Sequence, residues 1–205
     1  AQHSCAINRT GRIYCWGDNT YNQINNAPSG SDFIKIASSS FSTCALDTNG
    51  SVTCWGRNNY NLIANAPTLG GFVDISGGST HFCVRNSGGF LQCWGDDSFG
   101  EVSSVPSSGG FLSVEAGGNF TCVIDSVGEI ECWGRNIYNQ VSGHPSTTGF
   151  TSLSLGFATG CALDGNGSIT CWGLNNSGQV SSCPNDSGFT KLAIGSFSAC
   201  ALNGD

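Results

Sequence analysis

Long apolar runs, positive charge and histidine are scarce in this 205-residue sequence, and each shortage removes a class of function. No stretch of about 18 apolar residues is present, so no membrane insertion is expected. Lys and Arg together number 7 against 14 Asp and Glu, a formal net charge of −7. That sign repels phosphate backbones and anionic lipid, so nucleic acid and membrane surfaces are not expected partners. Of 3 His, His3 and His81 share one position just ahead of a cysteine, and His144 stands alone beside Pro145. No Ser–His–Asp or Cys–His set can be assembled from them, and neither enzymatic activity nor a cofactor is expected. Charged residues make up only 10% and hydrophobic ones 39%, which excludes a disordered chain. The first residues, AQHSC, lack the charged-then-apolar profile of a signal peptide, as in a mature, processed form.

What is present is repetition. Trp16, Trp55, Trp94, Trp133 and Trp172 step by 39 residues, as do Pro28, Pro67, Pro106, Pro145 and Pro184. Phe33, Phe72, Phe111, Phe150 and Phe189 keep the same step. So do cysteines at 5, 44, 83, 122, 161 and 200, and again at 15, 54, 93, 132 and 171. A unit this small, copied five times without an insertion, cannot bury a core alone and must stack on its neighbours.

Within the unit from Phe33 to Gly70, FIKIA, STCALD, SVTCW and a shorter NLIA read as four strands, with no helical period. If Cys44 faces Cys54, then Leu46 faces Val52 and a three-residue loop ends on Gly50. Such a hairpin wants positive φ at its third loop residue, and Gly11, Gly89, Gly128 and Gly167 repeat the choice. The residue opening the turn is Asn8, Asp47, Asn86, Asp125 or Asp164, side chains that cap turns.

That pairing sets each cysteine pair directly cross-strand, within reach of a disulfide: Cys5–Cys15, Cys44–Cys54, Cys83–Cys93, Cys122–Cys132 and Cys161–Cys171. Reduced core thiols and metal ligands are the alternatives, but no histidine accompanies all of the pairs and no metal site is expected. Cys183 and Cys200 are unmatched and could bond to each other. Five such bridges imply an oxidising compartment, hence a secreted or cell-surface protein, extracellular or periplasmic. Four short antiparallel strands per unit suit an all-β propeller, one blade per repeat. The apolar pair Leu46/Val52 recurs as Ile7/Ile13, Ile124/Ile130 and Leu163/Ile169, and fails at Arg85 opposite Leu91. Arg85 is expected to reach the blade edge or pair with an acid.

The stretches CALDTNGSVTCWGRNNYN and CALDGNGSITCWGLNNSGQV resemble repeats of the regulator of chromosome condensation family, in their alanine–leucine strand, glycine turn, tryptophan–glycine and Asn-x-x-Gly-Gln loop. The resemblance runs along the whole chain and implies a propeller, commonly seven-bladed, without implying one function. The cysteine-bearing form is similar to repeats of secreted proteins, and the SGF linkers resemble those of secreted propellers that inhibit β-lactamases.

The blades are expected at 32–70, 71–109, 110–148 and 149–187, with 1–31 and 188–205 together forming a closing fifth blade in which Phe189 to Ile194 supplies the first strand. In that arrangement CALN at 200–203 duplicates CAIN at 5–8, which leaves self-association through the chain ends open. One end of the propeller carries Phe41, Phe120, Phe157 and Phe197 on one loop type and Tyr21, Tyr60, Phe99 and Tyr138 on another. An aromatic rim suits a protein or carbohydrate ligand, although the Tyr21 series also fits packing between blades. Asp96, Asp97 and Glu101 are read as solvated loop carboxylates rather than calcium ligands. Asn8, Asn49, Asn119, Asn166, Asn175 and Asn185 head N-glycosylation sequons, with Asn49 and Asn166 at hairpin tips. The functions compatible with these features are an extracellular binding module, a structural subunit of an oligomer, filament or matrix, and a secreted enzyme inhibitor.

Overall fold

A computed structural model of the chain describes residues 2–204, all of them strand, turn or loop apart from one 3-10 turn at Asn59–Asn61. The first hairpin pairs β1 (His3–Ile7) with β2 (Ile13–Gly17). Four three-stranded antiparallel sheets follow: β3 (Phe33–Ser38), β4 (Ser42–Asp47) and β5 (Val52–Gly56); β6 (Phe72–Gly77), β7 (His81–Asn86) and β8 (Leu91–Gly95); β9 (Ser113–Ala116), β10 (Phe120–Ile124) and β11 (Ile130–Gly134); β12 (Phe150–Leu155), β13 (Thr159–Asp164) and β14 (Ile169–Gly173). The last pair is β15 (Phe189–Ile194) with β16 (Ala199–Asn203).

The central hairpin of each repeat has the expected register, Cys44 opposite Cys54 and Leu46 opposite Val52. Its turn is built by the acid or amide that opens it. Asp47 Oδ1 accepts the N–H groups of Asn49 and Ser51, both at 2.8 Å, and Asn8, Asn86, Asp125 and Asp164 bond the equivalent donors. Gly50 then takes φ of +72°, and its carbonyl accepts the N–H of Phe72, the first residue of the next sheet. The turn chemistry that closes a hairpin thus also sets where the following blade begins.

All five cross-strand cysteine pairs are bonded. Apolar clusters lie between neighbouring sheets: Leu46 and Cys44 pack on Ile75, Phe82, Val84 and Trp94 of the next blade. Where the aliphatic pair fails, Arg85 turns to Asp74 at 3.8 Å and donates to the carbonyls of Asn86 and Phe111. Lys35 holds the same Asp74 from the preceding blade at 2.6 Å.

Two expectations need correction. The segment NLIA forms no fourth strand, because Asn58 Oδ1 takes the N–H groups of Ile63 and Ala64 and Asn65 N–H donates back to Asn61. Those donors are spent inside a coiled loop and cannot enter a ladder. Among the described residues the joint closing blade is also not formed: Phe189 to Ile194 pairs with Ala199 to Asn203, its own hairpin partner, and β1 with β2 makes a two-stranded sheet.

The turn makes a prediction. A Cβ on Gly50 would lie 2.4 Å from the Phe72 carbonyl oxygen at a positive φ. Gly50→Ala should therefore lose about 1–3 kcal/mol in denaturant unfolding. Gly165→Ala, where a Cβ meets nothing within 4 Å, should change stability little; equal losses would contradict this account of the turn.

Candidate binding face

Two loop types meet at one end of the blades, and the outer type has backbone donors satisfied by repeated side chains. In the loop after each third strand, Asn19, Asn58, Asp97, Asn136 and Asn175 each present Oδ1 to the N–H groups five and six residues on. Gln23, Glu101, Gln140 and Gln179 accept the N–H two residues back. The carbonyl at this position receives the next blade's indole: Trp55 Nε1 donates to Gln23 at 2.8 Å, Trp94 to Leu62 at 2.8 Å, Trp133 to Glu101 at 3.0 Å and Trp172 to Gln140 at 2.9 Å.

The loops after each first strand converge on an axial cavity of about 270 Å³ lined by small residues, among them Ser39, Gly78, Gly117 and Gly156. Neighbouring loops bond through backbone: Ser40 N–H donates to Ser79, Ser79 to Gly118, and Gly118 to Gly156. A Cβ at Gly118 would sit 2.2 Å from the Phe157 carbonyl oxygen, so this close approach of main chains leaves no room for a side chain there.

Beside that cavity runs a groove of about 220 Å³ lined by Phe41, Arg57, Tyr60, Leu62, Ser79 and Thr80, among others. Phe41 meets Tyr21 edge to face at 5.6 Å between centroids, and the Arg57 guanidinium lies 4.5 Å from the Tyr21 ring and 5.5 Å from that of Phe41. Arg135 repeats the motif 4.9 Å over Phe99. Tyr60 is 51% exposed at φ of +54°, a conformation uncommon for a bulky residue. The arginines were not anticipated from sequence, yet their signal is there: the residue after Trp–Gly runs Asp18, Arg57, Asp96, Arg135 in the first four copies and Leu174 in the fifth.

The other anticipated residues divide. Tyr138, Phe157 and Phe197 are exposed, Phe157 on the axial cavity and Phe197 on a separate cavity near Cys200. Phe120 is not on the face: it is fully buried inside β10, one residue further into the strand than Phe41, among Ile130, Leu155 and Trp172. Cys183 and Cys200 are unbonded thiols, not a sixth bridge. Asn49, Asn166 and Asn185 are exposed, Asn8 and Asn175 cap their turns through Oδ1, and the Asn119 amide donates to Glu101 and Thr80. Asp97 and Asp96 serve the loop backbone, the N–H groups of Ser103 and Val102 holding the Asp97 carboxyl below its ordinary value. Glu101 is fully buried.

One buried and one half-buried group titrate abnormally. His81, bonded through Nε2 to Thr121 Oγ1 at 2.7 Å, is held to about 4 by burial. Glu115 is pushed up to about 7 by burial and then by the charge of Asp74, against the Ser76 hydroxyl and Lys35.

The blades, their axial glycine contacts and the indole bridges define a disulfide-stapled β-propeller. Residues 1–23, 33–61, 72–101 and 150–179 match the Regulator of chromosome condensation (RCC1) repeat, and the chain belongs to that family. The ectodomain of the receptor kinase CR4 from Physcomitrella patens is similar at 28% identity with a TM-score of 0.82, over 98% of this chain and 56% of that one. This chain thus spans little more than half of that ectodomain. The ACR4 ectodomain of Arabidopsis thaliana shares 23% identity over 100% of this chain and 73% of its own, with a TM-score of 0.80. Prp20p from Saccharomyces cerevisiae shares 15% over 99% and 68%, also at 0.80, a likeness of fold alone. No curated protein sequence matches significantly. Among the described residues no helix is long and apolar enough to cross a membrane.

The two titrations act in opposite directions. Glu115 stays protonated in the fold while the unfolded chain ionises, so its contribution is whole below pH 4.5 and lost as pH rises to about 7. His81 stays neutral in the fold, so its contribution is whole above pH 6.5 and lost as pH falls to about 4. Unfolding free energy of the wild type minus that of Glu115→Gln should fall by about 1–3 kcal/mol across the Glu115 window. Parallel pH profiles for the two proteins would contradict a raised carboxyl.

Proposed function

We propose that this chain is a non-enzymatic extracellular binding module, with each repeat (32–70, 71–109, 110–148, 149–187) contributing a blade and the loop face engaging a protein partner. The observation that carries this reading is the groove of Phe41, Arg57 and Tyr60 beside the axis, where Arg57 is stacked on Tyr21 and Phe41. Tyr and Arg dominate the energetics of protein interfaces because they bring large rigid surfaces and directional donors at little entropic cost. Nothing internal requires these rings to stay in water, since the loop backbone is already satisfied by Asn19, Gln23 and their repeats. Location outside the cell is supported by five disulfides and by the likeness to receptor kinase ectodomains.

The test uses the purified protein as bait for extracellular proteins of its source, followed by affinity measurement on the captured partner. Arg57→Ala and Tyr60→Ala should each weaken binding about tenfold or more. Val127→Ala, at the exposed tip of the β10–β11 hairpin, should leave it unchanged. Binding lost with Val127→Ala and kept by both groove variants would assign the site to the hairpin tips instead.

A further inference from the structure

One position in the repeat shares an apolar cluster with the bonded cysteines in three repeats. Ala27 shares one with Cys5 and Cys15, Ala66 with Cys44 and Cys54, and Val105 with Cys83 and Cys93. His144 follows in the series, and the fifth place is Cys183. Its Sγ lies 3.4 Å from Sγ of Cys171, in contact with a sulfur already bonded to Cys161. Cys161, Cys171, Cys183 and Cys200 line one cavity of about 290 Å³, which gives the thiol access to solvent and base.

We propose that Cys161, Cys171 and Cys183 form a thiol–disulfide exchange site with two isomeric bridges. Cys183 loses its proton, and the thiolate attacks Sγ of Cys171. The Cys171–Cys183 bond forms as the Cys161–Cys171 bond breaks, and Cys161 leaves as a thiolate that takes up a proton. One disulfide and one thiol stand on each side of the exchange, so no oxidant or reductant is consumed. In the first isomer the bridge staples β13 to β14; in the second it ties β14 to the loop ahead of Pro184. In the first isomer Cys161 is fully buried. Burial raises the Cys183 thiol above its ordinary value, so the exchange runs slowly near neutrality and faster in base.

The test follows linkage over time in the native protein at pH 6, 7 and 8. Each sample is quenched in acid, alkylated with N-ethylmaleimide under denaturing conditions and digested with chymotrypsin. Cleavage after Leu163, Trp172 and Phe197 separates the four cysteines. Peptides linked through Cys171 and Cys183, with Cys161 alkylated, should appear about tenfold faster per pH unit. They should be absent from Cys183→Ala, which restores the alanine of two other blades and so keeps the packing. Cys161–Cys171 alone at every pH with Cys183 alkylated, or a Cys183–Cys200 link, would overturn the proposal.

Discussion

The interaction on which the rest of this propeller depends is the indole N–H that each blade hands back to the one before it. Four times, a buried tryptophan donates to the carbonyl at the Gln23 position of the preceding loop. The bond does two jobs at once. It removes the polar cost of burying a large ring between sheets, and it fixes the height at which the next loop stands. A repeat that cannot enclose its own core is thereby keyed to its neighbour at one place, and every unit inherits the same spacing.

That keying explains why the loop face can vary while the blades do not. Backbone donors in the outer loops are consumed by Asn19, Asn58 and their repeats, and the inner loops bond to one another through main chain around the axis. Side chains at Tyr21, Phe41, Arg57 and Tyr60 are therefore free of structural duty toward the backbone. The disulfides act at a different level. Each closes a short hairpin, so its effect is to hold a blade's centre rigid rather than to shut the ring.

Much of this was legible in the 39-residue period, because a hairpin is local chemistry: the cysteine register, the capping Asp47 series and the glycine at the turn are all set within a dozen residues. The errors arose where a loop's own side chains or strands elsewhere in the fold decide a residue's fate. NLIA reads as a short fourth strand, but Asn58 captures its donors first. Phe120 looks like Phe41 in sequence and lies one residue deeper, which turns it from the loop into the core. Arg57 carried a readable alternation of charge with Asp18, Asp96 and Arg135, but only the packed loops reveal that it lies on aromatic rings. The pairing of β15 with β16 instead of with the first hairpin depends on competition between strands far apart in the chain, which no local pattern encodes.

The central claim is tested by replacing tryptophan with phenylalanine, which deletes the donor and trims the indole to its six-membered ring. Trp94→Phe and Trp133→Phe strand a buried carbonyl at Leu62 and Glu101, and each should lower unfolding free energy by about 1–3 kcal/mol. Trp16, 56% exposed, should cost less than about 0.5 kcal/mol in the same change. Losses at Trp94 and Trp133 no larger than at Trp16 would contradict the claim that the indole bridge keys the blades together.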